Sequence, residues 1–110
     1  MQSVTKKFLE AQIERLNRET NNPPAPYVRE GEKFTAQLGN YHLSGAYGGY
    51  SLHRMETDGG GISDVFGSGH ISKRDLSARI SAMMRGIHAA QMAAEESTAD
   101  RLHEMDAWTR

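Results

Sequence analysis

The chain has 110 residues, 37 per cent hydrophobic and 25 per cent charged, with a formal net charge of −1 and no cysteine. That length bounds a single domain with a modest core, and the lack of thiols excludes a disulfide framework, thiolate metal ligation and a cysteine nucleophile. No apolar run reaches the roughly 18 residues a membrane-spanning helix needs. The opening MQSVTKKFLEAQ carries glutamate within its apolar part, unlike a signal peptide, so a soluble cytoplasmic protein without a membrane partner is expected.

The near-neutral total conceals segments of opposite sign. Residues 1–33 sum to +1 and residues 34–69 to −2. Residues 70–90 sum to +3, from Lys73, Arg74, Arg79 and Arg85 against Asp75, and residues 91–110 to −3.

In chain order, Ser3 is placed to cap a first helix, on which Leu9, Ile13 and Leu16 fall at i, i+4 and i+7, with Val4 and Phe8 widening the stripe. Asn21-Asn22-Pro23-Pro24 ends it, because proline lacks an amide hydrogen and clashes with a continuing turn. Residues 21–33 then read as a linker pinned by Pro26-Tyr27. Phe34, Ala36 and Leu38 alternate as a strand, and Tyr41 and Leu43 resume the alternation after Gly39-Asn40, as across a bulge.

A glycine-studded stretch, residues 39–69, holds nine of the eleven glycines. Gly45 to Gly49 makes a turn, Tyr50 to Met55 a second strand of ambiguous buried face, Thr57-Asp58-Gly59-Gly60 a second turn, and Ile62 to Phe66 a third strand. Ser72 caps the next helix, with Asp75 in capping-box spacing and Leu76, Ile80, Met83, Met84 and Ile87 as its buried stripe. Gly86 inside that helix suggests a kink or a close backbone approach. Ser97 or Thr98 restarts a last helix carrying Leu102, Met105 and Trp108.

The expected fold is therefore α+β, in the order α-β-β-β-α, with a three-stranded antiparallel meander packed by helices and a C-terminal helix. Residues 1–90 form the domain and 91–110 an acidic helical extension. With so lean a core, self-association into a homo-oligomer would bury more surface.

Three groups of residues can carry function. Tyr47, Gly48, Gly49 and Tyr50 combine stacking faces and hydroxyls with glycines that admit a ligand, or simply form a tight turn. Gly67 and Gly69 lead into Ser72, Lys73 and Arg74, where free amides and a helix dipole favour an anion. The spacing there is neither a Walker A loop nor a dinucleotide fingerprint, and a plain strand-to-helix connection reads equally from it. His42 and His53 can face each other across the hairpin, with His70 near the helix start. Metal ligation is not expected, since HxxxH and HxH spacings are missing, and neither a catalytic residue nor a cofactor is assigned. Asp58 and Asp64 can join His53 as an acid/base group, although a turn and an exposed strand position account for both.

The helix–meander–helix order, with GxG and Ser-Lys-Arg opening the second helix, resembles a double-stranded-RNA-binding domain. That resemblance implies phosphate contacts from Lys73, Arg74, Arg79 and Arg85. The stretch YHLSGAYGGYSL, followed by DGGG and VFGSGHISKR, is similar to small phage- and prophage-encoded proteins, over about residues 5–87. That similarity implies an accessory protein of a mobile element in the bacterial cytoplasm. Of a size common among inhibitors of host defence, it would bind a host protein or a small phosphorylated ligand without being an enzyme. Nucleic-acid binding is the alternative.

Overall fold

The computed structural model describes residues 3–108, with side chains described through residue 98. Helix α1 spans Lys6–Glu19, strands β1 Tyr27–Glu30 and β2 Lys33–Ala36 form one hairpin, and β3 Tyr41–Ala46, β4 Gly49–Met55 and β5 Ile62–Asp64 form a meander. Helix α2 runs from Lys73 to Trp108. Both small sheets are antiparallel. The α+β fold and the meander between two helices are those expected from the sequence.

Thr5, not Ser3, caps α1: its Oγ1 accepts from Phe8 N at 3.1 Å. Val4 thereby precedes the cap and packs on the cluster containing Leu9, the pairing of a hydrophobic staple. The helix ends before the prolines. Asn21 takes a left-handed φ of 59°, Asn22 N donates to Asn17 O and Asn21 N to Arg18 O, which closes the last carbonyls in a Schellman arrangement.

The stretch read as a linker is half of the β1–β2 hairpin, with Tyr27 opposite Ala36 and Glu30 opposite Lys33. Phe34 and Tyr41 accordingly lie in different sheets rather than on one bulged strand. Gly39 (φ 87°) turns the chain between them, and its N–H donates to Met55 O. Extended alternation alone cannot separate a bulge from a change of sheet.

The core joins Leu9, Ile13 and Leu16 of α1 to Leu52 of β4 and Leu76 and Ile80 of α2, all buried. Tyr41, Leu43 and Tyr50 pack against it. Since strand residues alternate between faces, these positions define the helix-covered face, and His42, Ser44, Ser51 and His53 lie on the other. Two buried asparagines close the edges. Asn17 donates from Nδ2 to Tyr41 O and accepts from Tyr41 N, at 2.9 and 2.8 Å, so one side chain replaces a neighbouring strand. Asn40 donates from Nδ2 to Pro23 O at 2.8 Å.

The helices run side by side in the same direction: Gln12 Nε2 donates to Ser77 O and Ser81 Oγ, and Gln91 Nε2 reaches Glu19 O. Helix α2 then continues as one 36-residue element, without the break expected near Ser97. Thr98 does not cap; its Oγ1 donates to Ala94 O at 2.9 Å, four residues back, which leaves the helix intact. Helix α2 is continuous through Gly86, which meets no neighbour, for a Cβ there would have nothing within 4 Å. The radius of gyration, 18.2 Å against about 13 Å for a compact chain of this length, records the overhang. The Leu102, Met105 and Trp108 side chains lie outside the described residues.

Candidate functional site

Tyr47 and Gly48 alone form the β3–β4 turn, with Ala46 opposite Gly49. Both take left-handed φ, 53° and 74°, as the two-residue turn that matches strand twist requires. Asparagine-glycine is the usual occupant of such a turn, so a tyrosine at its first position is held against its own preference. The side chain is 99% exposed.

The two candidate regions meet. Tyr50 and Ile71 form an isolated antiparallel rung, Tyr50 N donating to Ile71 O at 2.7 Å and Ile71 N to Tyr50 O at 2.9 Å. Ser72 follows at once and caps α2, its Oγ accepting from Asp75 N at 3.1 Å. Gly49 permits the contact: a Cβ there would lie 2.9 Å from the His70 carbonyl carbon and 3.0 Å from Ile71 O. Gly67 and Gly69, at φ 62° and 67°, turn the chain back from β5 to reach this rung.

The amides in that loop face an anion the protein already carries. Gly69 N donates to Asp64 Oδ2 at 2.8 Å. Burial on its own would raise the Asp64 carboxyl. The hydrogen bond from Gly69, the Ser51 hydroxyl, the Gly67 amide and the charge of His53 outweigh it and hold the group below its ordinary value. Ser51 Oγ and Asp64 Oδ1 are both buried, and neither has a hydrogen-bond partner among the described residues.

A row of rings crosses the face away from the helices. His42 and His53 are cross-strand partners with centroids 5.9 Å apart and planes at 83°. His53 and His70 follow at 6.2 Å, and His70 and Tyr47 at 6.1 Å, all edge to face. Asn40 Oδ1 lies 3.2 Å from His42 Nδ1 at one end, and Ser44 Oγ lies 3.2 Å from His70 Nε2 toward the other. Burial first, and then the charge of His53, lowers the His42 pKa against the opposing Asn40 contact. Edge-to-face stacking turns the rings past one another, and among the described residues no set of three His, Asp or Glu side chains is placed to hold a metal ion. Among the described residues, Ser44 with His70 is the one hydroxyl–imidazole contact on this face. Asp64, the nearby carboxylate, accepts from Gly69 through Oδ2.

Lys73, Arg74, Arg79 and Arg85 are all exposed on α2. At about 100° per residue, Arg74 and Arg85 share one flank roughly 16 Å apart along the axis, while Arg79 sits about 130° round the helix. The four cations do not form one face. Asp58 stays exposed in its turn. A groove of about 560 Å³ beside the hairpin is lined by Gly45, Gly48, Gly49 and Tyr50 with Lys6 and Glu10, and Tyr47 is not part of its lining.

Sequence reasoning missed Ser44, Asn40 and the stacking of His70. A signal was present: once the turn is placed at Tyr47-Gly48, pairing residues outward matches Ser44 with Ser51 and His42 with His53, as the register has it. Among the described residues no helix is long and apolar enough to cross a membrane. No family model matches the chain, and neither a curated protein nor a solved structure does.

Proposed function

We propose that this chain is a non-enzymatic binding module that docks on a protein partner, with Tyr47 as its anchor. The single observation that carries this is the exposed Tyr47 ring held at φ 53° on a rigid hairpin tip. Exposure and strain both cost stability, the strain alone on the order of 1 kcal/mol, and tyrosine is among the side chains enriched where interfaces concentrate their energy. The Tyr50–Ile71 rung fixes the hairpin to the start of α2, so little ordering entropy remains to be lost on docking.

A small phosphorylated ligand fits less well. The Gly69 amide that would receive it is engaged by Asp64, whose charge repels a phosphate, and one of the free amides opening α2, that of Asp75, is met by Ser72. The similarity to phage and prophage proteins supplies the setting: an accessory protein in the bacterial cytoplasm whose partner is a host protein, with host defence as the process. Tagged wild-type chain should retain one host protein from lysate at high salt, and Tyr47→Asn, equally folded, should not. Equal retention by both, a salt-resistant thermal shift with a nucleotide, or turnover of a phosphorylated substrate would overturn the reading.

Nucleic-acid binding is the second reading, favoured by the exposed Lys73 and Arg74 opening a helix after a meander. It requires duplex affinity that falls steeply with salt and weakens for Lys73→Ala with Arg74→Ala whatever the sequence.

A further inference from the structure

We infer that two copies of this chain associate through α2, antiparallel, each basic half lying along the acidic half of the other. The inward stripe of α2 begins with Leu76 and Ile80 in the core and Met84 and Ile87 packed on it. The same helical spacing continues through Gln91, Ala94 and Thr98, but α1 reaches only to Gln91, through Glu19 O, and residues 88–98 are exposed throughout. A helix without tertiary cover is marginal in water unless something packs on it. The backbone continues helical to Trp108.

Charge selects the occupant and the direction. Residues 70–90 carry +3 and residues 91–110 carry −3. Antiparallel pairing about the boundary sets each +3 segment against a −3 segment, whereas parallel pairing sets like against like along the whole length. The boundary falls within Ala89, Ala90, Ala93 and Ala94, whose small side chains let two helix axes approach closely. Beside the stripe, a groove of about 610 Å³ between α1 and α2 is lined by Phe8, Ala11 and Met84 together with Arg85 and His88. The pairing is two-fold and closes on itself, so it stops at a dimer.

Sedimentation equilibrium of the full chain should give a dimer that weakens as salt rises. Arg79→Glu with Arg85→Glu, and separately Glu95→Lys, Glu96→Lys and Asp100→Lys, should each raise the dimer dissociation constant about tenfold or more. Mixing the two variants should restore association, because each then offers the charge the other lacks. As the chain has no cysteine, Ala93→Cys near the two-fold should cross-link under oxidation, whereas Ala82→Cys should not, its copies being too far apart for a disulfide. A monomer at the highest soluble concentration, charge variants that associate unchanged, or cross-linking of Ala82→Cys as in a parallel pair would overturn the inference.

Discussion

Gly49 lies so close beneath His70 that a Cβ on it would come within 2.9 Å of the His70 carbonyl carbon. The clash would be with backbone, which cannot swing aside as a flexible side chain can, and that backbone forms the Tyr50–Ile71 rung. Gly49→Ala should therefore cost about 1–3 kcal/mol by overpacking, read as a lower urea midpoint. Loss of amide protection at Ile71 should accompany it. An unchanged midpoint would mean that the 70–71 segment moves away freely.

Gly86 makes the opposite case within the same chain. It is exposed in mid-helix with open space where a Cβ would go. Gly86→Ala should raise stability by about 0.5–1 kcal/mol, because alanine loses less backbone entropy on entering the helix. Thermal unfolding of the two proteins side by side checks it.

Asn17 satisfies both backbone groups of Tyr41 from within a helix and is only 2% exposed. Asn17→Ala should leave a buried N–H and C=O unpaired, at about 1–3 kcal/mol for each group left unsatisfied. Asn17→Asp should not rescue it, since a carboxylate can accept from Tyr41 N but cannot donate to Tyr41 O. Denaturant titration of both variants decides the matter, and full stability of Asn17→Asp would contradict the bidentate role.

Local signals in the sequence carried the fold where packing agreed with them. The Leu9–Ile13–Leu16 stripe, the Ser72 cap and the Asp58-Gly59-Gly60 turn are all where pattern and turn chemistry place them. What the sequence hid were relationships between distant residues. Asn17 reads as a polar residue on a helix until Tyr41 is beside it, and Ile71 reads as a connector until it pairs with Tyr50. The first strand of the outer hairpin, Tyr27–Glu30, was illegible because it is exposed throughout, which removes the apolar alternation that marks a strand, whereas Phe34 and Ala36 of its partner strand did show it. At the candidate site the tyrosine-glycine turn and the helix start stood out separately, and only the close approach over Gly49 joins them.

Tyr47→Asn tests whether the hairpin tip trades stability for presentation of a ring. Asparagine tolerates left-handed φ and with Gly48 makes the preferred turn dipeptide, so the variant should be more stable than wild type by about 1 kcal/mol. Tyr47→Ala, which removes the ring but keeps a Cβ at φ 53°, should show little of that gain. Equal stability of the two variants would mean that the turn holds tyrosine without strain.

Stability should fall toward acid in two stages, each with its own residue. The folded His42 has a pKa below its ordinary 6.5, first because it is buried and then because His53 is beside it. The unfolded chain therefore takes up that proton first, so stability is full above pH 6.5 and declines below it until the folded pKa is passed. Asp64 is likewise held below its ordinary 3.8. Burial opposes this, but the Gly69, Ser51 and Gly67 contacts and the His53 charge prevail. Its contribution is present above 3.8 and is lost as pH falls through the lower folded value. Urea midpoints measured from pH 7.5 down to pH 3 should show both declines. His42→Gln should flatten only the first. Asp64→Asn, which can still accept from Gly69, should flatten only the second, and a first decline that survives in His42→Gln would overturn its assignment to His42.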